Sequence, residues 1–186
     1  MVKRTLAVAS VVSALAAACS SSSGSGTTPP GGTGAGSCKV YTVCSIESTA
    51  QVGTALGATF GAGTEADTNP TPSDSEAELV ACNYAGANNY SVSVSVRCCP
   101  CGDNEPSTVE AEAKMFSVVS DVSGVGDSAF WQSPITDAGG IVLDYYSLNV
   151  FVGADFYVIV TVNNPPAGVD PLAGAKQIAT TVLAGL

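Results

Sequence analysis

A strict alternation of apolar and polar residues sets the strongest limit on how this chain can fold. The segment reads Tyr90, Ser91, Val92, Ser93, Val94, Ser95, Val96, Arg97 and Cys98. Successive side chains of a β-strand point to opposite faces, so this pattern predicts a strand with one apolar face and one Ser-rich face. The fold must therefore contain a sheet with one face covered by other parts of the protein. At this strand, the opposite face is exposed to solvent.

Other segments supply partners for this strand. We predict strands over 79–85, over 141–152 and over 156–163, the last two joined as a hairpin, and a further strand that starts with residues 129–131. The segment 156–162 is apolar on both faces, which favours a central, covered strand. The residues expected in the core include Val92, Val94, Val96, Phe156, Val158, Val160 and Val182.

Capping patterns predict three helices. Ser48 and Gln51 have the spacing of a capping box, and Gly57 is placed to end a helix over 48–57. Asp170 followed by Pro171 predicts the start of a last helix that runs to the end of the chain.

The middle helix is predicted from Ser107 to about Ser120, with Glu110 one turn before Lys114. The segment 58–76 is rich in Gly, Thr, Pro and acidic residues and is expected to form a surface loop. Together these elements predict an α+β fold, with an antiparallel sheet of about five strands and three helices packed against it, braced by disulfides.

The N-terminus has a different composition. Lys3 and Arg4 precede an uncharged, mostly apolar run over 5–18, a layout typical of a secretory signal peptide and shorter than the ~20 residues of a membrane-spanning helix. The segment 15–19, Leu-Ala-Ala-Ala-Cys, resembles the bacterial lipobox, with Ala16 where Leu is usual. This resemblance implies cleavage before Cys19, fatty acids such as palmitate on Cys19, and anchoring to the lipid bilayer.

These features divide the chain into three parts. Residues 1–18 are the predicted lipoprotein signal peptide, and residues 19–37 are the lipidated cysteine and a flexible Ser/Gly/Thr/Pro tether. Residues 38–186 are expected to form one extracytoplasmic domain. The predicted location is the cell envelope, on the outer face of either the cell membrane or an outer membrane.

The charge of the mature chain limits its partners. Sixteen acidic residues and four basic residues follow Cys19, which leaves a net charge near −12. We therefore expect no nucleic-acid binding, because such binding requires clustered Lys and Arg.

Six cysteines remain besides Cys19, an even number that predicts up to three disulfides in an exported domain. They are Cys38, Cys44, Cys82, Cys98, Cys99 and Cys101. Cys44 with Cys82 is the preferred pair, and Cys38 would join one member of the 98–101 cluster, although other connectivities stay open. That cluster could instead bind a soft metal or perform redox chemistry.

No cofactor, metal or catalytic residue is predicted. The chain has no histidine, so Gly126-Asp127-Ser128 lacks the base that a serine nucleophile needs. An envelope enzyme based on carboxylates stays open as an alternative. Its candidates are pairs drawn from Asp121, Asp127, Asp137 and Asp144, near Trp131, Tyr145 and Tyr146.

Several motifs together resemble the small, uncharacterised envelope lipoproteins of actinobacteria, some of which have a fold similar to that of PsbP. The motifs are the segments 44–57, 82–84 and 122–131 and the closing amphipathic helix. The cluster over 98–101 departs from that pattern. The resemblance implies a fold and a location but no activity. The leading hypothesis is a non-catalytic module that binds a small ligand or an envelope protein.

Overall fold

A computed structural model of the protein describes residues 42–67, 78–98, 106–115, 117–134, 144–153 and 156–186. Within these residues, seven strands form one sheet: β1 Thr64–Asp67, β2 Glu78–Ala85, β3 Ser91–Cys98, β4 Ser117–Val122, β5 Ser128–Pro134, β6 Tyr145–Val152 and β7 Phe156–Asn163. The same residues contain four α-helices: α1 Val43–Ile46, α2 Thr49–Leu56, α3 Pro106–Ala113 and α4 Pro171–Gly185. A short 3-10 turn over Ala87–Asn89 joins β2 to β3.

The order of strands in the sheet is β1-β2-β3-β7-β6-β5-β4, and every neighbouring pair is antiparallel. Two meanders, β1 to β3 and β4 to β7, therefore meet where β3 pairs with β7. The last strand in the chain occupies the middle of the sheet. This confirms the prediction that the segment 156–162 forms a central strand.

The two faces of the sheet are covered differently. Helices α1, α2 and α4 pack on one face, here called the core face, whose central row contains Val94, Val160 and Leu148, all 0% exposed. Helix α3 packs on the opposite face, here called the α3 face, where Val109 and Ala113 contact a smaller apolar cluster. All the expected core residues are buried except Phe156, which is half-buried.

Local sequence signals at the helix ends are confirmed. Ser48 and Gln51 form the reciprocal capping box, and Gly57 ends α2 at φ 63°, a left-handed conformation that glycine adopts without steric cost. The Asp170 carboxylate accepts hydrogen bonds from the first-turn N–H groups of α4. Glu110 and Lys114 form the expected ion pair at 2.6 Å.

The α+β class, the antiparallel sheet and a disulfide are confirmed, but the expected counts of about five strands and three helices are wrong. The segment 58–76, expected to be a surface loop, contains strand β1. Its residues Thr64–Asp67 form a strand because they pair with β2. The helix expected to reach Ser120 ends at Ala113, and Ser117–Val122 forms β4 instead. Its β-branched Val118 and Val119 suit a strand, and pairing with β5 gives that strand its backbone partners.

Candidate functional site

Helix α1 is held at one corner of the core face by a disulfide. Cys44 on α1 bonds Cys82 on β2, with 5.0 Å between their Cα atoms, so the preferred pairing is confirmed. Gly63 lies against this bond, and a Cβ there would be 2.6 Å from the Cys82 Sγ and 2.8 Å from the Tyr84 ring. Only glycine therefore fits at this position without displacing the disulfide.

A carboxylate supports the same helix from β1. One oxygen of Glu65 accepts the N–H of Val43 at 2.8 Å, and the other accepts the N–H of Cys44 at 3.0 Å. A Glu65 oxygen and the sulfurs of Cys44 and Cys82 all lie within 4.8 Å of one another. Because the two sulfurs are bonded to each other, neither carries the thiolate charge that a metal ligand requires.

Glu47 is a buried carboxyl group between α1 and α2. The residue is 1% exposed, and its Oε2 has no hydrogen-bond partner among the described residues. Burial raises the pKa of Glu47 to about 7. The Tyr84 hydroxyl donates to the main-chain carbonyl of Glu47, and burial together with the nearby Glu47 and Glu65 raises the pKa of Tyr84 to about 12.

The sequence analysis did not single out Glu47. The residue stands between Ile46 and the capping box, with no periodic signal that separates it from an exposed glutamate. Its burial depends on tertiary packing at this corner of the fold, which no local sequence pattern indicates.

A second group of polar side chains is buried on the α3 face. Asn149, 2% exposed, donates to the Gln132 Oε1 at 2.8 Å and accepts from the Tyr157 hydroxyl. The Tyr157 ring stacks on Phe151 with 4.6 Å between centroids, and burial raises its pKa. Each of these polar groups has a partner, so the group stabilises the layer beneath α3.

An uncharged row of hydroxyl and amide side chains crosses the α3 face, and we call it the polar row. Strand register places its members on six adjacent strands, in the order Thr64, Asn83, Ser93, Thr161, Ser147 and Gln132. Adjacent strands are about 4.8 Å apart, so the row is roughly 24 Å long. Thr64 and Asn83 are exposed, Ser93 and Thr161 are half-buried, and Ser147 is buried.

A neighbouring row ends in an aromatic side chain. Asn163 on β7 pairs with Ser91 on one side and Tyr145 on the other, and its Nδ2 lies 3.2 Å from the Ser91 Oγ. Tyr145 is 45% exposed. The sequence predicted a Ser-rich face, but the alignment of polar residues from six strands follows from register, which the sequence alone did not supply.

The carboxylates proposed for an enzyme do not form one group. Asp127 accepts the N–H of Gly153 at 2.7 Å, just past the end of β6, whereas Asp144 immediately precedes the start of β6. The eight-residue strand between them is roughly 27 Å long. Asp121 is an exposed residue of β4, and Asp137 lies outside the described residues.

The aromatic residues expected near those carboxylates are also divided. Tyr146 stacks on Trp131 on the core face, with 5.7 Å between ring centroids. Tyr145, the residue before it in β6, lies on the α3 face. Cys19, Cys38, Cys99 and Cys101 lie outside the described residues, and of Cys98 only the backbone, at the end of β3, is described.

A shallow, open groove of about 580 Å³ runs beside α2 and includes Thr49, Gly53 and Phe60.

Among the described residues, no helix combines the length and the apolar character that crossing a membrane requires. Comparison with protein-family profiles, with curated proteins and with solved structures finds no match to this chain.

Proposed function

We propose that the protein is a lipid-anchored, extracytoplasmic module that binds its partner without catalysing a reaction. The observation that carries this proposal is the Cys44–Cys82 disulfide, which closes a sequence separation of 38 residues and has Cys82 fully buried. Structural disulfides persist in oxidising compartments outside the cytoplasm. The lipobox-like segment before Cys19 and the signal-peptide layout agree with that location.

The proposed anchor is a lipidated Cys19 on the outer face of the cell membrane or an outer membrane. The tether over 20–37 would span roughly 25 Å on average, enough to hold the domain clear of the lipid headgroups. The described domain starts at Thr42, beside α1 and the β1 edge of the sheet. The α3 face and the β4 edge would then stay accessible to partners.

The polar row, apart from its buried member Ser147, is the surface that we propose for binding. It carries no charged side chain, although the mature chain has sixteen acidic residues. A partner recognised there would be held by hydrogen bonds to hydroxyl and amide groups, with Tyr145 supplying an apolar ring at one side. A neutral polysaccharide, which offers many hydroxyl groups and no charge, fits this chemistry.

The anchor is tested by the intact mass of membrane-extracted protein, with and without reduction and thiol alkylation. We expect a chain that begins at Cys19, carries an acyl increment and has no alkylatable thiol before reduction. A chain without lipid would contradict the anchor. Two or three alkylatable thiols in the 98–101 cluster would favour a thiol or metal-binding function instead.

The binding surface is tested with the full chain in detergent micelles and immobilised neutral glucans, with polygalacturonate as a charged comparison. Replacing two members of the polar row, Asn83→Ala with Thr161→Val, should weaken binding to the neutral glycan roughly tenfold. Thr180→Val on the exposed side of α4 is the matched control and should leave binding unchanged. Equal binding by both variants would remove the polar row as the site.

A further inference from the structure

Glu47 is enclosed by the elements that hold α1. It follows the last residue of α1, and α1 contacts β1, β2, β3 and α4. Glu47 is 1% exposed, and within the part of the chain that the structure describes its Oε2 has no hydrogen-bond donor. A buried carboxylate with an unpartnered oxygen is unfavourable in its charged form, so the neutral form suits this position.

The ionisable groups around Glu47 do not compensate a negative charge. Strand β2 brings Tyr84, which donates to the Glu47 main-chain carbonyl, and Cys82, which is in the disulfide. Strand β1 brings Glu65, whose carboxylate is occupied by two N–H groups of α1. Helix α2 has no ionisable side chain.

The positive charges on the remaining elements are directed elsewhere. Lys176 of α4 donates to the Ser123 carbonyl at 2.8 Å. Arg97 of β3 alternates with the buried valines and lies on the α3 face. The pKa of Glu47 is accordingly raised by burial with no charged residue contributing.

We infer that Glu47 is a pH-sensitive latch: its neutral carboxyl lets α1 close on the core face, and its ionisation loosens α1 where the chain enters the domain. The Cys44–Cys82 disulfide keeps α1 attached to β2 in both states. The loosening is therefore local to α1 and the start of α2. This inference is independent of the glycan proposed as partner.

The direction of the pH dependence follows from the raised pKa. The ordinary pKa of the group is 4.5 and its pKa in the folded protein is about 7. The stability gained with the neutral form is complete below the ordinary value, declines as the pH rises between the two values, and is lost above about 7. The latch is therefore closed in mildly acidic surroundings and open in alkaline ones.

The first experiment compares the full chain with Glu47→Gln, both in detergent micelles, by thermal unfolding from pH 5 to pH 8.5. The wild type should lose roughly 5–10 °C of Tm relative to the variant over this range. The control Glu65→Gln removes the exposed carboxylate at the same corner and should show the same decline of Tm with rising pH as the wild type. Parallel curves for wild type and Glu47→Gln would overturn the latch.

Hydrogen exchange separates a latch from a merely buried acid. At pH 8, amides over 42–57 should exchange faster in the wild type than in Glu47→Gln, whereas amides of β7 should exchange equally in both. A carboxyl-carbon NMR titration of the wild type gives an independent readout that needs no variant. A Glu47 midpoint near 4.5, or equal exchange over 42–57, would overturn the inference.

Discussion

On the core face of the sheet, Val94, Leu148 and Val160 are fully buried by helices, whereas on the α3 face the adjacent positions Ser93, Ser147 and Thr161 form part of the polar row. The same strands thus supply an apolar layer on one side and hydrogen-bonding groups on the other. The core face is stabilised mainly by apolar burial. The α3 face combines a small apolar cluster with a buried hydrogen-bond network and the uncharged polar row.

This difference predicts that substitutions on the two faces will have different effects. Substitutions on the core face should change stability in proportion to the contacts or the cross-link that they remove. Substitutions on the α3 face should divide into those that break the network at Asn149 and those that change only the exposed surface.

The largest effect is expected at the disulfide on the core face. Replacing both cysteines, Cys44→Ala with Cys82→Ala, removes a cross-link between residues that are 38 positions apart. The unfolded chain then gains conformational entropy, so the free energy of unfolding should fall by about 4 kcal/mol. Urea unfolding of the purified full chain measures it, with the reduced wild type as the comparison. A loss below about 1 kcal/mol would mean that packing alone holds α1.

Packing on the core face is tested by Leu148→Ala, which removes a fully buried side chain from β6. We expect a loss of about 3 kcal/mol in urea unfolding, because the neighbours fill such a cavity only in part. Leu183→Ala on α4 is the matched control, since Leu183 is only partly buried. Equal losses for the two variants would contradict the placement of the core at the centre of the sheet.

The network on the α3 face is tested by Asn149→Ala. The change leaves the Tyr157 hydroxyl and the Gln132 Oε1 without their partner and should cost about 2 kcal/mol. Tyr157→Phe should lower the free energy of unfolding less in the Asn149→Ala variant than in the wild type, because Asn149 and Tyr157 share a hydrogen bond. Strictly additive losses would show that the network contributes no coupling.

The smallest effect is expected at the polar row. Ser93→Ala should change the free energy of unfolding by less than about 0.5 kcal/mol, because Ser93 is only half-buried. The same variant should weaken binding to neutral glucan. A large loss of stability at Ser93 would give the row a structural role and weaken the contrast between the two faces.

Signals confined to neighbouring residues were predictable. The capping box at Ser48, the Asp170 cap and the alternation over 90–98 each depend on contacts within a few residues, and each is confirmed. The fate of β4 was not predictable in this way. Ser107 to Ser120 carries a helical signal, but the pairing of Ser117–Val122 with β5 ends the helix at Ala113.

Features that depend on register or enclosure escaped the sequence analysis. The Cys44–Cys82 pair could be preferred from its position near the first helix and strand, and it is confirmed. Glu47 and the polar row could not be found, because each requires knowing which strands are neighbours and which helix covers them. The location of the protein and its lipid anchor stay predictions of the sequence.

The central position of β7 has a consequence for how the chain reaches this fold. A chain synthesised from its N-terminus delivers β1 to β3 first, yet β3 has its second partner only when Phe156–Asn163 arrives. Until then the edge of β3 presents unpaired backbone groups, which invite association with other chains. The time between the arrival of the first meander and the last strand, rather than the final stability, therefore sets the period in which the chain is most prone to aggregate.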